Sequence, residues 1–487
     1  MVYSARTPMT ALLWFRRDLR LTDNPALNAA LTQGRLIPVY IHDEASHSPW
    51  PAGGAARWWL HHSLRALDGA LRARGSRLIV RTGESLAVLE ALLAETGAES
   101  VHWNRCYEPA AIARDTRIKQ ALQARGLAVH SQRAALWREP WELKTGAGEP
   151  YRVFTPFWRA LSARLPELNV QPAPARLPPV PETLASETLD ALRLLPRLNW
   201  ADGFAAHWQP GEEGALRRLE SFVDSRLPGY KTRRDFPAQP GVSGLSPHLH
   251  FGELSPQQIR AAVQRVAGAA PGADAEHFLR ELGWREFAHH LLYHFPHTPE
   301  APLYEKFAAF PWRAAADYAA QLRAWQQGLT GIPIVDAGMR ELWHSGWMHN
   351  RVRMIVASFL TKNLLIPWQE GARWFWDTLL DADLANNTLG WQWSAGCGAD
   401  AAPYFRIFNP LLQSQKFDAQ GVYLRRWLPE LAQLPDALIH APWTASPAQL
   451  AAAKLRLDQD YPLPIVDLAA SRARALAAYE PIKAARS

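Results

Sequence analysis

Trp374–Gln413 reads WFWDTLLDADLANNTLGWQWSAGCGADAAPYFRIFNPLLQ. It mixes Trp, acids, Asn and Gly too densely for a plain core helix. Asp381 and Asp383 set two carboxylates one residue apart, the amide pair Asn386 and Asn387 follows, and then come Trp391 and Trp393. Carboxylates and amides hold the polar edge of a ligand and indoles give it flat walls, so the stretch reads as the wall of a pocket on a helical framework. The plain alternative is that Asp and Asn cap helices while Trp fills a core. The residues of this stretch alone weigh the two about evenly.

Upstream, the pattern changes. To about residue 131, short apolar runs (ALLWF from Ala11, LIPVYIH from Leu36, RLIV from Arg77, SVHW from Ser100, LAVH from Leu127) alternate with segments of helical length such as Ala55 to Arg74. Such a βαβ series predicts a doubly wound parallel sheet. Beyond about residue 201 helical periodicity dominates and strand signals stop. Between the two, Pro166, Pro172, Pro174, Pro178, Pro179, Pro181 and Pro196 interrupt any long element and predict a connector lying extended over both parts. The expected fold is α/β plus all-α, divided at 1–131, 132–200 and 201–487. A chain of 487 residues, 48% hydrophobic, can fill two such cores.

Composition narrows the chemistry. A net charge of +7 leans toward an anionic partner such as nucleic acid or a nucleotide. Neither a GxGxxG after the first strand nor a GxxxxGK[ST] occurs. Two cysteines, Cys106 and Cys397, make neither a four-thiolate cluster nor a disulfide framework, and a reducing cytoplasm is expected. No secretory signal or long apolar run stands out, so no membrane is expected.

Tyr230 opens YKTRRDFPAQPGVSGLSPHLHFGELSP, where Ser246 and Pro247 read as the N-cap and first residue of a helix whose free N–H groups suit phosphate. An ordinary capped helix is the commoner meaning. Glu281 precedes Trp284 and Arg285 by three and four residues, which puts a carboxylate beside a flat ring on one helical face. A simple pair with Arg285 would explain it equally. Trp347, Asn350 and Met354 share a stripe of a helix expected from Gly346, and packing does not ask for Asn350. His289, His290, His294 and His297 cluster without an HExxH or thiolate set, so no metal is expected. Asp381 and Asp383 could also be an acid/base or metal-binding pair, whose test is a separation that sequence does not show.

DxDLxxN, GWQW and DAAPYFRIFNP together resemble the flavin-binding segment of the photolyase/cryptochrome family. WFRRDLRLTDN, from Trp14 to Asn24, resembles the family's amino-terminal motif, and Tyr151 to Phe157 the start of its interdomain connection. The likeness covers nearly the whole chain. It implies FAD held by Tyr230, by Val242, Ser243, Gly244, Leu245 and Ser246, and by Arg285, Arg353, Asp381, Ala382, Asp383 and Asn387. It implies a DNA lesion met by Arg234, Glu281, Trp284, Asn350, Arg351, Met354, Trp393 and Gln413, with the extruded dimer sandwiched between Trp284 and Trp393. Trp312, Trp368 and Trp391 match the family's electron-relay positions. With 22 tryptophans in the chain, their contexts FPWR, LLIPWQEG and GWQW carry that match, not their number.

The resemblance further implies light-driven repair of cyclobutane pyrimidine dimers by electron transfer from photoexcited, reduced anionic FAD. Glu281, Asn350 and Asn387 are the expected catalytic residues, with Asn387 facing flavin N5. Asn350 and Met354 stand where (6-4) photolyases carry two histidines, which favours cyclobutane dimers. The alternative is a cryptochrome-like photoreceptor, against which Asn387 speaks, since plant cryptochromes carry Asp there and many animal ones Cys. A flavin- and DNA-binding module without turnover is a second. The expected partner is UV-damaged DNA, bound by a cytoplasmic monomer with no obligate protein partner. A second, antenna chromophore (folate, deazaflavin or flavin) is left open, and Ala110 and Ala111 replace the Asn-Glu pair with which one group holds folate.

Overall fold

In a computed structural model, residues 9–45, 49–268, 272–401 and 405–484 are described. Ala402, Pro403 and Tyr404 of the DAAPYFRIFNP motif lie outside the described residues. Five parallel strands, β1 (Met9–Phe15), β2 (Gly34–His42), β3 (Ile79–Thr82), β4 (Ser100–Asn104) and β5 (Ala128–Gln132), run in the order β3-β2-β1-β4-β5. The apolar runs become strands because both faces of this sheet are covered, so every position of β1 from Ala11 to Phe15 is buried. Ala11, Leu13 and Phe15 face one core and Leu12 and Trp14 the other. The first core also takes Phe204, Trp208, Phe251 and Leu380, so one face of the sheet is closed by the chain's later helices.

The strand order reverses between β1 and β4, where ligands of such sheets usually bind at the carboxyl ends. Asn104, ending β4, donates to Asp18 (2.6 Å) and Asn24 (2.7 Å), and its oxygen accepts from the Ala26 N–H (3.1 Å). The WFRRDLRLTDN motif then docks the sheet on the helices. Leu19 N–H donates to Phe251 O (3.1 Å), Arg20 to Gly252 O (2.8 Å), and Glu212 accepts the N–H groups of Leu21 (2.8 Å) and Thr22 (2.9 Å). Gly252, at φ +66°, would put a Cβ 2.1 Å from Arg17 O, so only glycine admits this contact.

From residue 201 onward the described residues form helices and no named strand. The 132–200 segment is not extended throughout, as the prolines suggested. Phe154–Ser162 is a helix because Phe154, Phe157 and Leu161 form an apolar stripe that closes a core against Ala273–His294. Glu286 ties the same two parts together, accepting from the N–H groups of Trp137 (2.8 Å) and Arg138 (3.3 Å).

Burial pushes the Glu286 carboxyl up to about 7. Between its ordinary value of 4.5 and about 7 the folded chain keeps a proton that the unfolded chain has released. The group's contribution to stability is therefore whole below that window and lost as pH rises through it. Glu286→Gln removes the titration. Wild-type stability minus that of the variant should fall by up to about 3 kcal/mol across the window in denaturant unfolding, and a flat difference would contradict the assignment.

Candidate active site

The site residues come from six helices and the loops that join them. Tyr230–Arg233 is a short helix whose Tyr230 is buried against Phe222 and Phe278. The loop from Val242 leads into Ser246–His250. Here Leu245, not Ser246, is the N-cap, and the Ser246 hydroxyl instead accepts from the Trp347 indole N–H (3.3 Å). This corrects the expected capping, and with five residues the helix offers little dipole. Ala273–His294 supplies Glu281, Trp284, Arg285 and His289.

The third expected helix starts later than the spacing predicted. Gly346 closes Pro333–Ser345 in the left-handed region, and Asn350–Ser358 begins only after His349, whose ring accepts from the Arg351 N–H (3.2 Å). Trp347 therefore sits in the turn. Asn350 and Arg351 both approach the Met354 sulfur, at 4.0 and 3.9 Å.

The two acids of the DAD motif play different parts. Asp381, buried, takes the Arg353 Nη2 on both oxygens (2.8 and 3.1 Å), and Arg353 Nε donates to Met348 O (2.8 Å). Ala382 between them is buried. Asp383 is the N-cap of Leu384–Ala395, accepting from the Asn386 N–H (2.9 Å) and side-chain amide (2.7 Å). Its other oxygen faces His289 Nε2 at 3.6 Å and His250 Nδ1 at 3.7 Å. Burial would raise this carboxyl, but His289 and His250 outweigh it and hold Asp383 well below the usual carboxylate range. Asn387, one turn on, donates from Nδ2 to Ala372 O (3.0 Å), which leaves its carbonyl oxygen for a ligand.

Glu281 does not pair with Arg285. It pairs with Arg234, which also lies 5.5 Å over the Tyr230 ring, while Arg285 turns away to donate to Ala135 O (2.6 Å). Arg351 reaches Asp235 at 2.9 Å. Trp284 has one face stacked on Phe154, centroids 3.7 Å apart and planes 9° apart. Trp393 lies near Phe408 (6.3 Å) and the Arg406 guanidinium (5.5 Å). Gln413, on Pro410–Phe417, is half-buried. Trp391 and Trp368 are buried in one core with Trp312 packed against it, and Trp391 touches Phe375 (5.0 Å) and Trp325 (6.2 Å). His290 and His294 both bond Pro140 O (3.0 and 3.1 Å), a structural use of the histidine cluster.

Sequence reasoning missed His250 as a partner of Asp383, and Asp235 as the partner of Arg351. HLHFGE directly after Pro247 was the available signal for His250. Asp235 had only its place beside Arg234.

An acid–guanidinium pair next to a free amide carbonyl fits the alternating N–H and C=O edge of an isoalloxazine. A parallel-sheet layer docked on a helical core with such a cradle defines a two-part flavoprotein. The model of the FAD binding domain of DNA photolyase matches residues 278–481, and that of DNA photolyase matches 11–180. A deoxyribodipyrimidine photo-lyase of Agrobacterium fabrum is 49% identical over 475 residues, 97% of this chain and 98% of the relative. Cryptochrome-1 of Arabidopsis thaliana is 40% identical over 480 residues, 95% of this chain and 69% of the relative. A crystal structure of a bacterial class III photolyase from Agrobacterium tumefaciens superposes with a TM-score of 0.95 at 48% identity, covering 99% of this chain and all of that one. The chain belongs to the photolyase/cryptochrome family. No helix among the described residues is long and apolar enough to cross a membrane.

Proposed function

We propose that the protein is a deoxyribodipyrimidine photo-lyase, which uses light and FAD to split cyclobutane pyrimidine dimers in DNA. The observation that carries this is the cradle of Asp381, Arg353 and Asn387 in a chain 49% identical to a protein of that name. What FAD supplies when bound is a photoexcitable electron, lent to the dimer and recovered once the cyclobutane bonds have parted. Arg353, charge-paired with Asp381, and the Asn387 carbonyl orient the ring system. Tyr230 and the Val242–Ser246 loop hold the dinucleotide's other end.

The lesion is met by the remaining residues. Arg351 and Arg234 draw DNA phosphate, and Trp284 and Trp393 give the flipped dimer its apolar walls. Glu281 and Asn350 hydrogen-bond the bases, and Arg234 holds Glu281 in place for that contact. Trp391, Trp368 and Trp312 form the route by which an oxidised cofactor is recharged. The antenna domain spans 1–131, the connector 132–200 and the catalytic domain 201–487. A second chromophore serves as light antenna, and the protein works as a cytoplasmic monomer.

Arg351→Gln should weaken binding to damaged and undamaged DNA alike and lower the slope of log K against log salt by about one. An unchanged slope would remove Arg351 from the phosphate contacts. The photoreceptor reading is separated in the dark. A repair enzyme retains a thymine-dimer oligonucleotide far better than its undamaged twin and releases it under blue light. Equal retention of the two would favour signalling.

A further inference from the structure

Asp383 turns its two oxygens to different neighbours. Oδ1 caps a helix through Asn386, while Oδ2 faces two buried imidazoles, His289 Nε2 at 3.6 Å and His250 Nδ1 at 3.7 Å. Both separations are too long for a hydrogen bond. On the other side of the His289 ring, Nδ1 lies 2.9 Å from Arg285 O. A carbonyl oxygen only accepts, so Nδ1 carries the proton, and in the neutral ring Nε2 presents a lone pair. That lone pair and a carboxylate oxygen face each other with no donor between them among the described residues.

The charged groups around this cluster are engaged elsewhere. Arg17, from the sheet part, pairs with Glu108, and Arg285 donates to Ala135 O (2.6 Å). Tyr107 meets His289 edge-on, ring centroids 6.3 Å apart. Burial pulls both imidazoles below the ordinary histidine value of 6.5, helped by Arg17 at His250 and by Arg285 at His289, while Asp383 and Glu108 pull the other way. The resting cluster is therefore one carboxylate and two neutral rings. A further negative charge nearby would favour an imidazolium. The cradle is where such a charge can arrive, since Asp383 stands two residues from Asp381 and one helical turn before Asn387.

We propose that His289 takes up a proton on Nε2 when the cofactor in the cradle becomes anionic, and so favours the reduced form of that cofactor over the oxidised one. This rests on the reading of the cradle as the FAD site. His289 is a positioning residue that acts through Asp383: the added proton turns two facing acceptors into an ion pair, and the site gains one positive charge beside the reduced ring system. Reduction to the anion takes two electrons, supplied by an external thiol, and one proton. His289 takes a second proton, drawn from solvent past the Arg17–Glu108 pair, whose side chains are 27% and 15% exposed.

The test is the midpoint potential of bound FAD in the full-length, FAD-loaded protein, read by spectroelectrochemical titration from about pH 5 to pH 9. Each proton coupled to a two-electron reduction changes the equilibrium constant tenfold per pH unit, about 30 mV. The wild-type potential should fall with rising pH by about 59 mV per unit, two protons, across a window that opens below 6.5, and by about 30 mV per unit above it. In His289→Gln the one-proton slope should hold throughout. His250→Gln should keep the two-proton window and only move it along the pH axis. A one-proton slope across the whole range in the wild type overturns the proposal, whether or not the variants fold, and leaves the flavin reading standing. A two-proton window that survives His289→Gln and vanishes in His250→Gln overturns the assignment to His289. Protein that takes up no FAD sinks the flavin reading and the proposal with it.

Discussion

Asp381→Asn is expected to strip the protein of flavin. The Arg353 guanidinium bonds both oxygens of Asp381, whose side chain is only 4% exposed, and its third contact is a backbone carbonyl at Met348. An amide there keeps one acceptor but loses the charge, so a largely buried cation is left without its counter-ion. Removing one partner of such a pair costs roughly 3 kcal/mol, or about a hundredfold in retention of whatever the pair positions. Flavin per polypeptide after extended dialysis should fall from near one to a trace, while far-ultraviolet circular dichroism stays that of a folded chain. Full retention would show that the pair serves the fold and not the cofactor.

Gly371→Ala should have the largest effect on stability. The added Cβ would lie 2.0, 2.4 and 2.6 Å from ring carbons of Trp391, where the helices Trp368–Thr378 and Leu384–Ala395 cross. Trp391 cannot swing aside, because it is buried edge-on against Phe375 and Trp325. Overpacking of a rigid core costs about 1–3 kcal/mol and more where nothing yields, so a loss near the upper end of that range is expected from the denaturant midpoint. Gly390→Ala is the control: it meets nothing within 4 Å and sits in a helix, so it should be neutral or slightly stabilising. Equal effects of the two would mean that the interhelical contact is not as tight as described.

The strands could be read from the sequence because burial on both faces writes itself as continuous apolar runs, and all five runs became strands within a few residues of where they were expected. The helix at Phe154–Ser162 hid behind prolines, since its evidence is a stripe of three apolar residues whose partner lies more than 100 positions away. Local spacing likewise misled at Glu281. The nearest candidate partner, Arg285, is drawn off by Ala135, and the actual one, Arg234, is 47 residues upstream. Ser246 offered a good cap but spends its hydroxyl on Trp347, a tertiary contact that propensity does not contain. In the DAD motif two like acids became unlike. Asp381 belongs to an arginine and Asp383 to a helix end and two histidines, a division set by neighbours from other helices.

The account turns on whether light and the bound flavin together mend thymine dimers. The direct measurement is mass spectrometry of an oligonucleotide carrying one thymine dimer, incubated with reduced, FAD-loaded protein and split between blue light and darkness. The account predicts restored, separately cleavable thymines in the lit sample and an untouched dimer in the dark one. An intact dimer after illumination of protein shown to hold reduced FAD would contradict it.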